Sequence, residues 1–340
     1  MNASWSRDLF KIGSAQGATS ALLRVAFAVG VPLFGGLWIG HAPAAVWGGA
    51  TALFTTLSDF GTTRKSRAAM MLAGWLAVVG GGFVGHVVVS AGGSNELVIL
   101  ASAFVAGWAS GSHPGVAAVT RFFALAAAAA TGLRFSDPMI AWSVVAGGVS
   151  AFVAAELVWW LIPLPPGDNV IDWRTGVQRA FHGMDSGWRF TLAYGAAAAV
   201  ALFAAHEIGV SDAYWATLVV LMVMRREGVA SFSLTLHYAI GTLAGVALAI
   251  AVLKVVDTPM AVALLATLSA ALARLGLAIN PSLGFVGFNL FILFAVHLAT
   301  HGAVMDIASA RLYDVAIGCV IVIVATLAIS RRIPATSSAP

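Results

Sequence analysis

Long hydrophobic runs separated by short polar connections cover most of the chain. A helix that crosses a lipid bilayer needs about 20 mainly apolar residues, and most of these runs approach that length. In a first set they lie at about 21–39, 43–59, 68–90, 96–111, 114–133 and 138–162. In a second set they lie at about 188–206, 213–225, 233–255, 258–279, 282–300 and 309–330. The pattern predicts an all-α, polytopic membrane protein with about twelve transmembrane helices.

The polar connections divide the chain into five parts. We predict an N-terminal segment (1–20), a first six-helix repeat (21–162), a linker (163–187), a second six-helix repeat (188–330) and a tail (331–340). The linker begins with the residues PLPPGD and is too short to form a domain. It is either an extended connection or a surface helix.

Similar residues recur at a constant distance in the two sets of runs. Trp47 and Trp215 lie 168 positions apart, and Pro114 and Pro281 lie 167 positions apart at the start of the fifth run of each set. Because each set holds six helices, the second set enters the membrane in the same direction as the first. The repeats are therefore predicted to be parallel, with a pseudo-two-fold axis along the membrane normal, and transporters place their substrate pathway at such an interface.

Composition excludes several classes of protein. Of the 340 residues, 60% are hydrophobic and 9% are charged, whereas soluble domains carry about 25% charged residues. So few charges also exclude a nucleic-acid-binding module with a basic face. The single cysteine, Cys319, allows no disulfide and no cysteine-pair zinc site. With no HExxH, GxSxG or P-loop sequence, we expect no enzyme activity, no cofactor and no metal site.

Basic residues fall on one side of the predicted membrane. Of the 18 Lys and Arg residues, only Arg134, Lys254 and Arg311 fall toward the other side. The positive-inside rule then places both termini in the cytoplasm, which agrees with an even number of helices.

The second half of the chain carries an ordered series of motifs. These are Tyr214-Trp215-Ala216-Thr217, then Met224-Arg225-Arg226, then Gly241-Thr242-Leu243-Ala244-Gly245. The series resembles the fusaric-acid-resistance-like (FUSC) membrane family, whose members include bacterial exporters of aromatic carboxylic acids. The first half is a degenerate copy that keeps Trp47 and Gly74. The resemblance implies transport of aromatic acids and a periplasmic adaptor protein as a partner.

Several side chains are candidates for substrate binding. Arg121 lies within the fifth run beside Phe122, so that a guanidinium fork for a carboxylate adjoins a ring for an aromatic acid. The other interpretation of Arg121 is an arginine that extends to the membrane interface. Arg24 and Arg189 occupy matching positions at the start of each set, as pathway or anchoring residues. The remaining candidates are Trp47, Trp215 and Thr217.

Four further residues are candidates for proton coupling or gating. Glu156 lies within the sixth run, and it either takes up a proton or pairs with an arginine of another helix. Asp59 and Glu227 are 168 positions apart, each beside a basic turn. His113 precedes Pro114 and could titrate. Arg311 and Asp314 lie one helical turn apart, which favours a structural ion pair.

The sequence thus favours a secondary transporter in the inner membrane that exports small organic anions, with aromatic carboxylates foremost, coupled to the proton gradient. Two alternatives stay open, namely a passive organic-anion channel and a non-transporting assembly or scaffold protein. The predicted partners are the lipid bilayer and an organic anion. An adaptor protein and a homo-oligomer are open, and nucleic acid is not expected.

Overall fold

The computed structural model describes residues 18–60, 63–132, 137–162, 173–182, 187–210, 213–300 and 304–330. These residues form thirteen α-helices, with no β-strand among them. Most of the predicted N-terminal segment, much of the linker and the whole predicted tail lie outside the described residues.

Each of the twelve predicted runs corresponds to one helix. The first set is α1 (Ala18–Trp38), α2 (Ala42–Leu57), α3 (Arg64–Ser90), α4 (Asn95–Ala109), α5 (Pro114–Gly132) and α6 (Pro138–Leu161). Helix α7 (Trp173–His182) lies in the predicted linker. The second set is α8 (Trp188–Glu207), α9 (Tyr214–Val223), α10 (Gly228–Leu253), α11 (Pro259–Ile279), α12 (Pro281–Thr300) and α13 (Val304–Ser330). The all-helical prediction is confirmed.

Nine helices in the described part of the chain are long and apolar enough to cross a membrane. The other three helices of the two sets are shorter, with 16 residues in α2, 15 in α4 and 10 in α9. Many large apolar side chains on the outer surface are exposed, for example Trp142 on α6 and Phe203 on α8. In a bilayer such surfaces contact lipid instead of water, so the protein is a multi-pass membrane protein.

Local sequence signals explain where the helices begin. Proline opens α5, α6, α11 and α12, where its missing N–H costs no hydrogen bond. Thr63 caps α3, with a reciprocal bond from Ser66. The Asp137 carboxylate caps α6 by accepting from the backbone N–H of Met139.

Glycine pairs four residues apart bring two pairs of helices close together. A Cβ atom on Gly81 or Gly85 of α3 would collide with the backbone of α5. A Cβ atom on Gly241 of α10 would collide with α12 in the same way, and one on Gly245 would crowd it. These glycines therefore allow close contact between the paired helices.

The helices of the two sets pack in corresponding pairs. Helices α1, α2 and α6 pack on one another, as do α8, α9 and α13. Helix α3 packs on α5, and α10 packs on α12. Contacts between the sets also correspond, since α4 packs on α8 and α11 packs on α1.

Two buried apolar clusters form the core, and each draws on both sets. One combines helices α4, α5, α8 and α9 with parts of α3 and α13, and the other combines α1, α2, α6, α11 and α12 with part of α10. Leu57 and Trp215 pack against both clusters, so they lie at the centre of the protein. We call the end of the bundle where α1, α3, α5 and α10 begin the basic end, because five arginines described below lie there.

Candidate functional site

Four charged side chains from four parts of the chain meet at the basic end. Arg24 of α1 donates from Nη1 to Oδ2 of Asp59, which follows α2. Nη1 of Arg67, on α3, lies 3.5 Å from the same oxygen. Arg274, near the end of α11, interacts electrostatically with Asp59, Arg24 and Arg67. We call these four residues the arginine cluster.

The arginine cluster carries more positive than negative charge. Three guanidinium groups face one carboxylate, and the side chains of Arg24 and Asp59 are only 9% and 4% exposed. Within the described residues, Oδ1 of Asp59 is buried without a hydrogen-bond partner, and the charge of Arg274 is attracted by Asp59 but repelled by Arg24 and Arg67. Unmatched buried cations favour the approach of an anion.

A small cavity adjoins the arginine cluster. It is lined by Arg24, Asp59 and Arg274 together with Ala21, Val25, Thr56, Met71 and Ala155. The lining thus combines two guanidinium groups and a carboxylate with short apolar side chains. The cavity has room for about one water molecule, so an organic anion needs the cavity to widen before it can enter.

Close packing of α3 against the end of α2 brings Arg67 to Asp59. Gly74 of α3 contacts Ser58 so closely that a Cβ atom on it would overlap the serine side chain. Ser58 donates its hydroxyl to the carbonyl of Phe54, which closes the last turn of α2. Gly74 was noted as a remnant of the motif in the first half of the chain, and its position explains why glycine is needed there.

Arg121 and Arg225 form a second pair of cations toward the basic end. They lie beside the core cluster that combines α4, α5, α8 and α9. Arg121 is seven residues into α5, about 10 Å from the helix start at 1.5 Å per residue. Arg225 follows the short helix α9, and its Nη1 donates to the carbonyl of Met224. Burial and the charge of Arg121 hold the pKa of Arg225 well below its usual value. An anion between the two guanidinium groups would relieve this repulsion.

Aromatic rings fill the centre of the protein between the two sets of helices. The ring of Phe54 on α2 lies 5.1 Å from that of Phe122 on α5 and 6.4 Å from that of Phe288 on α12, measured between centroids. The three helices come from both halves of the chain. We call these three residues the phenylalanine constriction.

Two motifs of the second half meet at Arg311, a buried arginine whose spacing predicted an ion pair with Asp314 on the same helix. Nε of Arg311 lies 3.2 Å from Oδ1 of Asn289, and its Nη2 lies 2.6 Å from the hydroxyl of Tyr238. The guanidinium carbon lies 4.8 Å from the centroid of the Trp215 ring. Asn289 in turn donates to Thr242, in the third motif. Arg311 therefore links the Tyr214-Trp215 motif to the Gly241-Thr242 motif.

The remaining substrate-binding candidates lie in different surroundings. Arg189 is exposed and lies over the ring of its neighbour Trp188, unlike the buried Arg24. Trp47 is half-buried in α2. Thr217 is buried, and its hydroxyl donates to the carbonyl of Ala198, which joins α9 to α8. Phe122 belongs to the phenylalanine constriction.

The coupling and gating candidates are also dispersed. Glu156 forms an ion pair with Arg64 at 3.3 Å, and both side chains are more than half exposed. Glu227 is exposed at the start of α10, and its charge acts on Arg225. His113 accepts from the backbone N–H of Gly115, and burial lowers its pKa. Of the four candidates, only Asp59 lies in the arginine cluster.

Within the described residues, no group of three or more His, Cys, Asp or Glu side chains could hold a metal ion. The candidate site contains arginines, which recognise carboxylates, with hydroxyl groups and aromatic rings nearby.

Comparison with known families gives a match for part of the chain. Residues 197–325 match the family described as Fusaric acid resistance protein-like. The matched region runs from α8 to α13 and contains the Arg311 surroundings. No curated protein and no solved structure matches the chain.

Proposed function

Because residues 197–325 are a fusaric acid resistance protein-like region, we propose that the protein is a secondary transporter that exports small organic anions. The observation that carries this proposal is the arginine cluster, where three guanidinium groups surround one carboxylate and two of them line a small cavity. Aromatic carboxylates are the substrates that we favour, since the family description names an acid of that class and since aromatic rings adjoin the cationic side chains. No catalytic step is part of the proposal.

The proposed transporter consists of two parallel six-helix repeats. The corresponding packing of α1, α2 and α6 and of α8, α9 and α13 supports this arrangement, as do the paired contacts of α4 with α8 and of α11 with α1. The concentration of arginines at the basic end supports a cytoplasmic position for that end in the inner membrane.

A proposed path leads from the basic end to the centre of the protein. The arginine cluster and the Arg121–Arg225 pair attract a carboxylate from the cytoplasm, because excess positive charge raises the local concentration of anions. The phenylalanine constriction closes the path in this conformation, and its rings can stack on an aromatic substrate. Beyond it, Trp215 and Arg311 offer a second combination of ring and cation.

A passive anion channel is the second candidate function. The surface position of Glu156 and its ion pair with Arg64 favour it, since Glu156 then serves as a structural partner instead of a proton carrier. A channel needs the same arginines but no coupling group, so the two candidates differ in their response to a pH gradient.

Flux into proteoliposomes tests the proposal. Uptake of labelled 4-hydroxybenzoate is measured with and without an imposed pH gradient for the wild type, Arg274→Gln and Arg179→Gln. Arg179 is exposed on α7 and serves as a matched control. We expect gradient-dependent flux that falls in Arg274→Gln and persists in Arg179→Gln. Flux that follows only the electrochemical gradient of the anion would favour the channel. No flux across a panel of organic anions would reject both candidates.

A further inference from the structure

We propose that Asp59 is a built-in competitor of the substrate, whose carboxylate occupies the place among Arg24, Arg67 and Arg274 that a substrate carboxylate takes. This inference rests on the proposed function of the arginine cluster and concerns how that site is filled and emptied. In the present conformation the site holds the carboxylate of the protein itself. An arriving anion displaces Asp59, and the returning Asp59 releases the anion.

Arginines contact only one of the two carboxylate oxygens of Asp59. Arg24 and Arg67 both approach Oδ2, whereas Oδ1 is buried without a hydrogen-bond partner in the described part of the chain. A carboxylate held permanently by arginines typically uses both oxygens in a paired arrangement. Arg274 lines the same cavity as Arg24 and Asp59, and its charge interacts with that of Asp59. A free carboxylate that entered the cavity could therefore contact Arg274 as well as the groups that now hold Asp59.

The backbone position of Asp59 allows such an exchange. Asp59 follows Ser58, the C-terminal cap of α2, so it lies outside the helix. Its N–H donates to the carbonyl of Thr56 at 3.2 Å, and no ladder of helical hydrogen bonds depends on its side chain. Rotation of the short side chain away from Arg24 leaves the backbone hydrogen bonds of α2 in place.

The charge balance favours replacement of the Asp59 carboxylate by that of the substrate over binding of both carboxylates together. Among the described residues, the charged groups around Asp59 are Arg24 on α1, Arg67 on α3 and Arg274 on α11. Arg64 of α3 has Glu156 as its partner. When a substrate carboxylate replaces that of Asp59, the guanidinium groups keep one anion throughout. The excess positive charge therefore does not grow during the exchange, and such growth would be costly in a buried site.

A tethered competitor weakens the apparent affinity of the site. Short tethers give an effective concentration on the order of millimolar or above, and a free anion must compete with it. Removal of the Asp59 carboxylate should therefore tighten anion binding by about tenfold, because the site is then vacant more often. A merely structural ion pair predicts the opposite, since its loss would disorder the arginines and weaken binding.

The test compares equilibrium binding of labelled 4-hydroxybenzoate to the purified full-length protein in detergent. The variants are Asp59→Asn, Asp59→Ala and Asp306→Asn, where Asp306 is exposed at the start of α13 and serves as the matched control. We expect tighter binding in both Asp59 variants and no change in Asp306→Asn. In Asp59→Ala, acetate replaces the missing carboxylate, so added acetate should compete with 4-hydroxybenzoate and return the apparent affinity toward that of the wild type.

The outcomes separate this inference from the proposed function. If the wild type binds 4-hydroxybenzoate and the Asp59 variants bind it equally or more weakly, the competitor role is wrong while the anion site stands. If neither the wild type nor a variant binds any of a panel of organic anions, the proposed function itself fails. Should Asp59→Ala fold poorly, Asp59→Asn carries the test, since it keeps the side-chain shape and loses the charge.

Discussion

The guanidinium carbon of Arg311 lies 4.8 Å from the ring centroid of Trp215, so a buried cation on α13 covers the second residue of α9. The same side chain bonds Asn289 on α12 and Tyr238 on α10. A single arginine thus holds four helices of the matched region together. A charge within a membrane-spanning helix needs such partners, since unpartnered charges there cost about 2.5–3.5 kcal/mol on insertion scales.

Replacement of Arg311 should destabilise the protein. In Arg311→Gln, the hydroxyl of Tyr238 and the amide oxygen of Asn289 lose a charged donor, and we expect a loss of about 1–3 kcal/mol. Thermal unfolding in detergent, followed by the fluorescence of the tryptophans, measures the effect. Arg179→Gln, on the exposed surface of α7, provides the control. An unfolding midpoint for Arg311→Gln equal to that of the wild type would contradict the structural role of these contacts.

Removal of the Phe54 ring should open the proposed substrate path at the phenylalanine constriction. In Phe54→Ala, the contacts with Phe122 and Phe288 are lost, and an apolar constriction that excludes ions is widened. Passive efflux of labelled 4-hydroxybenzoate from proteoliposomes should rise several-fold without any imposed gradient. Phe203→Ala on α8, whose side chain is 62% exposed, is the matched control and should leave efflux unchanged. Equal efflux in the two variants would place the barrier elsewhere.

Arg121 should have opposite effects on stability and on transport. Its charge repels that of Arg225, so Arg121→Gln should raise the thermal stability of the protein in the absence of an anion. The same change removes a charged donor for the substrate, and we expect the KM for 4-hydroxybenzoate to rise about tenfold. Unfolding midpoints and initial rates of uptake measure the two effects. A variant that loses both stability and transport would indicate a structural role for Arg121.

Stability should depend on pH through Asp137 at the end opposite to the basic end. The backbone N–H of Met139 and then His41, whose Nε2 lies 2.7 Å from Oδ2, lower the pKa of Asp137. Because the folded state holds the carboxylate charged to a lower pH than the unfolded state, this contribution is complete above the usual pKa of about 4. It is lost as the pH falls through the lowered value.

The measurement is the difference in unfolding midpoint between the wild type and Asp137→Ala. It should be present at pH 6 and should shrink toward zero in strongly acidic buffer. Since Asp137 is exposed, the difference is expected to be small. A difference that grows on acidification would contradict the assignment.

The helices could be predicted from the sequence because their signals are local. Apolar runs, opening prolines and capping residues such as Thr63 all act within a few positions. Helix lengths were harder to predict, since α9 has only 10 residues and ends before Arg225. The extra turn that the hydrophobic run suggested is replaced by the hydrogen bonds between Ser231 and the backbone of Arg225.

The candidate site could be predicted only in part. Arg24 and Asp59 were each selected, but their ion pair joins positions 35 apart, and nothing in their spacing predicts it. Arg67 and Arg274 come close to this ion pair only because α3 and α11 pack beside it. The sequence predicts an ion pair of Arg311 with Asp314, one turn away, whereas the hydrogen-bond partners of Arg311 lie on α10 and α12. The functional surroundings of a residue thus depend on tertiary contacts that local spacing does not contain.

Equilibrium binding of labelled 4-hydroxybenzoate to the purified protein tests most directly whether the arginine cluster is an anion site. The account predicts saturable binding by the wild type, a dissociation constant about tenfold higher in Arg274→Gln, and wild-type binding in Arg179→Gln. Binding that is equally strong in Arg274→Gln, or no saturable binding of any organic anion in the panel, would contradict it.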